Sequence, residues 1–203
     1  MAKLKAPLFS FSASGKLADA LVYFGWKGLN VVRQYVIPAN PKSTAQTTQR
    51  GYVTAAVAAI HAAQALAVDP LIAIDTSAYA LWGSIYATPR TWFNQVVKNW
   101  LDQKVAVLIP IIWRNATLTP AATTITLEIE ETPESSALTN ATVNWGTSKT
   151  ALINSQAVTK IELNAGIAIT GMVTKVKYYL QVRPTLPVGF IGSYSGIYYA
   201  TTT

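Results

Sequence analysis

The chain has 203 residues, 51% of them hydrophobic, with one histidine and no cysteine. That length buries one good core or two small ones, and the missing thiols exclude disulfides, thiolate metal sites and a cysteine nucleophile. Charged residues make up only 12%, about half the usual share, so the surface is drawn from Thr, Ser, Asn, Gln and Ala and suits contact with other protein.

The formal net charge of +7 is concentrated early: residues 1–104 carry ten Lys/Arg against four Asp/Glu, residues 105–203 six against five. A basic surface attracts nucleic acid, anionic lipid or acidic protein. Here the cations form no run and are too sparse for a nucleic-acid arm; the plain reading is a solvated face. The opening residues lack an apolar signal core. The apolar windows 55–74 and 105–113 fall short of membrane spans, the first broken by His61, Gln64, Asp69 and Pro70 and the second too short. The expectation is a protein made in the cytoplasm, with no signal peptide and no membrane contact, for which Asn115-Ala-Thr117 and Asn140-Ala-Thr142 are chance glycosylation matches.

In chain order, Phe9 and Phe11 alternate as a short edge strand. Leu21-Val-Tyr-Phe24 and Leu29-Asn-Val-Val-Arg-Gln-Tyr-Val36 flank Gly25-Trp-Lys-Gly28 as a β-hairpin. A lone hairpin is marginal in water, so this one needs another sheet, the following helices or a neighbouring subunit. Pro38 and Pro41 stop the strand, and a helix follows with Asn40, or Ser43 with Gln46, as its cap. Tyr52, Val53, Ala56, Val57, Ile60, Ala63 and Leu66 recur at helical spacing. Asp69-Pro70 separates a second helical stretch from Asp75 toward Tyr86, and after Pro89 a third runs from Thr91 to Leu101, with Val96, Val97 and Trp100 on one face. Three amphipathic helices with short breaks make a small bundle, whose aromatic stripe reads as core.

From Val105 β-branched residues dominate, with 105–113 a crossing strand or connector limited by Pro110. Thr123-Thr-Ile-Thr-Leu-Glu-Ile-Glu130 alternates as a half-buried strand should. Further short strands at 141–145, 157–163, 176–183 and 196–202 imply a sandwich. The expected class is α+β: a basic hairpin-plus-helices assembly domain over 1–104, a connector strand over 105–117, and an antiparallel β-sandwich over 118–203.

Trp145, Ile161-Glu-Leu163, Tyr178-Tyr-Leu-Gln-Val-Arg183 and the stretch from Tyr194 to Thr202 follow one another as the marks of a fibronectin type III or related immunoglobulin-like module, which 118–203 resembles. The resemblance implies a tyrosine-corner bond from Tyr178 or Tyr179; the usual Pro-rich opening is lacking. Over about residues 10–60, Gly15-Lys-Leu-Ala-Asp-Ala-Leu-Val-Tyr23, Arg33-Gln-Tyr-Val-Ile-Pro38 and Asn40-Pro-Lys-Ser-Thr-Ala-Gln46 with Arg50 resemble small bacteriophage and prophage virion-type proteins. That resemblance implies a context, the phage particle, and no activity.

Bond-making groups are scarce. His61 lies in an Ala-rich helix with no carboxylate at helical contact spacing, which suits a packed or surface residue better than a base. Glu128, Glu130, Glu131 and Glu134 sit on one strand and its turn; they could hold a cation or act as an acid/base pair, but a solvated strand face accounts for them more simply. Phosphate-loop and nucleophile-elbow patterns do not occur, and no cofactor, metal or small-molecule substrate is implied. Arg33, Asn40, Gln46, Gln49 and Arg50 at the hairpin-to-helix junction could receive a phosphate, a carboxylate or a neighbour's chain terminus, with local backbone bonding and capping the simpler role.

The expected function is therefore a non-catalytic structural component of a phage particle, a head-decoration, portal-proximal or tail-associated protein of the virion. It would contact copies of itself and other virion proteins through Tyr23, Phe24, Trp26, Arg33, Tyr35, Asn40, Gln46 and Arg50. Two alternatives stand beside it: weak nucleic-acid contact through Trp26, Lys27, Arg33, Arg50 and Arg90, and an adhesin or carbohydrate-binding surface at Tyr194, Tyr198 and Tyr199.

Overall fold

The computed structural model describes residues 2–4, 15–17, 20–37, 42–132, 138–186 and 193–203. The chain divides into two units, Met1–Ser43 and Thr44–Thr203.

The first unit is a four-stranded antiparallel sheet of β1 (Ala2–Leu4), β2 (Gly15–Leu17), β3 (Leu21–Trp26) and β4 (Leu29–Gln34), in the order β1-β4-β3-β2. The expected hairpin is its centre. Lys27 and Gly28 form the two-residue turn with φ of 50° and 76°, the double left-handed geometry of a type I′ turn, whose twist matches that of the strands. The Tyr35 N–H donates to the Ala20 carbonyl at 2.8 Å and closes the open end. Phe9 and Phe11 lie outside the described residues, as does the Asn40-Pro41 cap.

The second unit begins with α1 (Thr44–Gln64), α2 (Ala73–Gly83) and α3 (Trp92–Val105). Ala56, Ile60 and Ala63 form the buried stripe of α1, whereas Val53 is exposed and Leu66 falls beyond the helix end. Thr91 caps α3 by accepting from the Asn94 N–H at 3.3 Å. These helices share a core, with Tyr79, Trp82, Val96 and Trp100 packed together with Ile112 and Ile197 from the β-region. That shared core corrects the expected boundary after residue 104: the helices belong to the same unit as the sandwich, and the chain divides at Ser43/Thr44.

The sandwich consists of β5 (Ile112–Pro120), β6 (Ile125–Thr132), β7 (Asn140–Gly146), β8 (Asn154–Thr159), a short α4 (Lys160–Ala165), β9 (Ile167–Ile169), β10 (Lys177–Leu186) and β11 (Tyr198–Thr201). One sheet runs β5-β6-β9 and the other β11-β10-β7-β8, with every pairing antiparallel. Ile125, Leu127 and Ile129 alternate inward on β6 and meet Val143, Trp145, Leu180, Val182 and Tyr198 of the opposite sheet in one core. Three boundaries differ from expectation. The connector read over 105–117 is the sandwich's own first strand from Ile112 onward. The strand read over 157–163 stops at Thr159, where Thr159 and Glu162 cap each other and start α4. Finally, β9 is an additional short strand pairing Ile167–Ile169 with β6.

Candidate functional site

The candidate contact residues fall into two groups. Phe24 pairs with Val31, Trp26 with Leu29 and Val22 with Arg33. Directly opposed residues share a sheet face, so Val22, Phe24, Trp26, Leu29, Val31 and Arg33 line one side of the N-terminal sheet. The Arg33 guanidinium lies over the Phe24 ring at 5.4 Å. Among the described residues only Val31 of this apolar face is buried; Trp26 is 56% and Leu29 46% exposed. Tyr23 pairs with Val32 and takes the opposite face, and Tyr35 follows β4. Gln46 and Arg50 lie in the first two turns of α1 in the second unit; Asn40 lies outside the described residues.

The polar centre of the second unit is built around Asp75, a residue the sequence offered only as the start of a helix. The β5–β6 register slips between Arg114 and Thr117, so Asn115 and Ala116 form a bulge, Asn115 having φ of 51°. A bulge removes N–H groups from the ladder. Here the Asp75 carboxylate, at the start of α2, accepts them: from Asn115 at 2.8 Å and from Ala116 at 3.1 Å. It also accepts from the Ile72 N–H at 3.0 Å and from the Tyr198 hydroxyl at 2.9 Å. Beside it, the Tyr79 hydroxyl accepts from the Trp113 N–H at 3.0 Å. Burial pushes the Asp75 carboxyl above its ordinary 3.8, opposed by these four hydrogen bonds, and pushes Tyr79 and Tyr198 above the usual phenol value. The group has no open nucleophile; it clamps α2 to a bulged strand and to β11.

Among the described residues, the glutamates of β6 each have a partner. Glu130 meets the buried Arg114 guanidinium at 3.1 Å, Glu131 meets Lys160, and Glu128 accepts from the Thr117 hydroxyl at 3.3 Å. Glu134 lies outside the described residues. His61 is exposed on α1, edge-on to Phe93 at 6.4 Å. Among the described residues no three His, Asp or Glu side chains gather as a metal set would require. Tyr198 is 1% exposed, which removes it from the tyrosine surface grouped with Tyr194 and Tyr199. Of the two tyrosines expected to bond back to the upstream backbone, Tyr178 has such a contact, its hydroxyl accepting from the Val173 N–H at 3.0 Å.

No protein-family model matches the chain. No curated protein matches it either. Among solved structures, the solution structure of a human fibronectin type III domain is similar to it, with a TM-score of 0.36 and 19% identity, covering 50% of this chain and 78% of that one.

Proposed function

We propose that the protein is a non-catalytic structural component of a bacteriophage particle, holding to copies of itself and to other virion proteins through its N-terminal sheet. The observation that carries this reading is the apolar side of that sheet. A four-stranded sheet needs one covered face to be stable in water, and Val22, Phe24, Trp26 and Leu29 present a continuous apolar row of which none is fully buried. A neighbouring protein completes it. The low charge density and the paired acids support a contact role, and the phage setting rests on the sequence pattern around Arg33, Gln46 and Arg50. The sandwich, with a three-stranded sheet facing a four-stranded one and a Tyr178 corner, is read as a fibronectin III-like module displayed by the helices bound to it.

The test is co-purification. Mass spectrometry of purified particles should find the chain at a fixed copy ratio, and Trp26→Asp, which places a charge on the apolar face, should abolish incorporation. A strictly monomeric protein absent from particles would overturn the proposal.

A further inference from the structure

A cleft of about 250 Å³ opens between α2, α3 and the segment leading into β11. Trp82 of α2 forms one wall, with the Tyr194 ring stacked on it at 6.1 Å. The α3 side is polar: Gln95, Asn99 and Gln103 recur every four residues and so form one stripe. Amides on the inward side of a helix are uncommon, and a relay fixes how these two inner ones point. The Arg90 guanidinium can only donate, so Gln95 turns its Oε1 toward it at 3.2 Å, and its Nε2 then donates to Asn99 Oδ1 at 2.9 Å. Asn99 is left presenting Nδ2, which has no partner although the residue is only 8% exposed. Gln103 Oε1, one turn further, and the hydroxyl of Ser193, 2% exposed, are also without partners. Buried polar atoms are rarely left unpaired, and three border this one cleft. They offer a donor, an acceptor and a group that is both. Lys98 and Asp102 at the cleft pair with each other, which leaves its lining close to neutral.

We propose that this cleft binds one ring of a neutral saccharide. A hydroxyl donates and accepts at once, so a single ring hydroxyl can take the Asn99 Nδ2 hydrogen and give its own to Gln103 Oε1, while a second pairs with Ser193. The apolar edge of the ring falls against Trp82 and Tyr86. The volume is below that of a typical drug-sized pocket and suits a single ring, and a carboxylate or phosphate would find Lys98 already engaged by Asp102. Because the three atoms are shut from bulk water, binding requires Tyr194, stacked on Trp82 and with the Arg183 guanidinium 5.0 Å from its ring, to shift off Trp82. The site uses no residue of the N-terminal sheet and stands apart from the assembly reading.

Titration of the full chain with neutral monosaccharides and their methyl glycosides, followed by tryptophan fluorescence and saturation-transfer NMR, tests this. Saturable binding with Kd in the range of about 1 mM is expected for at least one sugar, weakened about tenfold or more in Ser193→Ala and Asn99→Leu and unchanged in Tyr199→Ala. Asn99→Leu also strips Gln95 of its acceptor, so Ser193→Ala is the decisive variant: it removes a hydroxyl without a partner and should keep or raise the thermal midpoint while binding falls. Acetamide, glucuronate and glucose 6-phosphate are titrated alongside. The proposal is overturned if no neutral sugar saturates by about 50 mM, if the amide or an anion binds in preference, or if both cleft variants bind as the wild type does.

Discussion

The N-terminal sheet and the Thr44–Thr203 unit meet the same problem, an apolar sheet face that water will not tolerate, in different ways. In the larger unit the β6 side chains Ile125, Leu127 and Ile129 are covered by the opposite sheet, and the outer side of β5 is covered by helices, Ile112 joining Tyr79 and Trp100 in a second core. In the N-terminal sheet the equivalent row stays in part exposed: Phe24 is half-buried, and Trp26 and Leu29 are exposed. One unit buries its apolar faces within itself; on the proposed assembly reading the other obtains part of its cover from a partner. Substitutions in the two units should therefore be read by different instruments, unfolding for the first and assembly for the second.

The largest loss of folding stability should follow Asp75→Ala. It strands two bulge N–H groups, the Ile72 N–H and the Tyr198 hydroxyl in a dry junction, and the cost should be about 3–5 kcal/mol in urea unfolding. Gly196→Ala comes next. A Cβ at that position would sit 2.6 Å from the Ala78 carbonyl carbon and the Tyr79 nitrogen, so α2 must back away from the chain entering β11, at about 1–3 kcal/mol. Tyr178→Phe removes the acceptor of the Val173 N–H and should cost about 1 kcal/mol. Smallest on this scale is Trp26→Asp, within about 0.5 kcal/mol in the main unfolding transition, although on the proposed function it should block assembly. If Trp26→Asp instead destabilised the whole chain as Asp75→Ala does, the contrast between the units would fail.

Proton linkage sharpens the same contrast, because the shifted buried groups belong to the larger unit. Asp75 has its folded pKa raised above 3.8, so the folded state holds its proton more firmly than the unfolded chain. The stabilisation linked to that proton is complete below 3.8 and is lost as pH rises through the folded value, while the four hydrogen bonds to the carboxylate remain. Tyr79 and Tyr198 are raised from 10.0, so stability should fall again above pH 10 as the unfolded phenols ionise and the folded ones do not. Denaturation midpoints followed across pH should show that alkaline fall, and Tyr79→Phe should reduce it.

Much of this architecture is legible from the residues. The strict alternation of Ile125, Leu127 and Ile129 gives β6, and the Pro-marked breaks with periodic Ala56, Ile60 and Ala63 give the helices. Thr159-x-x-Glu162 is a capping box in plain sight, and it marks the end of β8 that strand propensity alone carries too far. Tyr198 and Tyr199 alternate along β11, which puts one inside and the other out; grouping them with Tyr194 ignores that period. The boundary after Ser43 was not legible. That the helices join the sandwich in one unit rests in part on a carboxylate at 75 meeting a bulge some forty residues later, a long-range pairing that no local pattern encodes. The apolar run around Ile112 likewise reads as a connector until the helices are seen to cover its outer side.

Hydrogen exchange of the β3 and β4 amides, compared between the free chain and the chain in purified particles, tests the central claim most directly. The account predicts rapid exchange over 21–34 in the free chain, slow exchange of β6 and β10 in both, and strong protection of 21–34 only in the particle. Equal protection of 21–34 in a free monomer, or a chain that never enters particles, would contradict it.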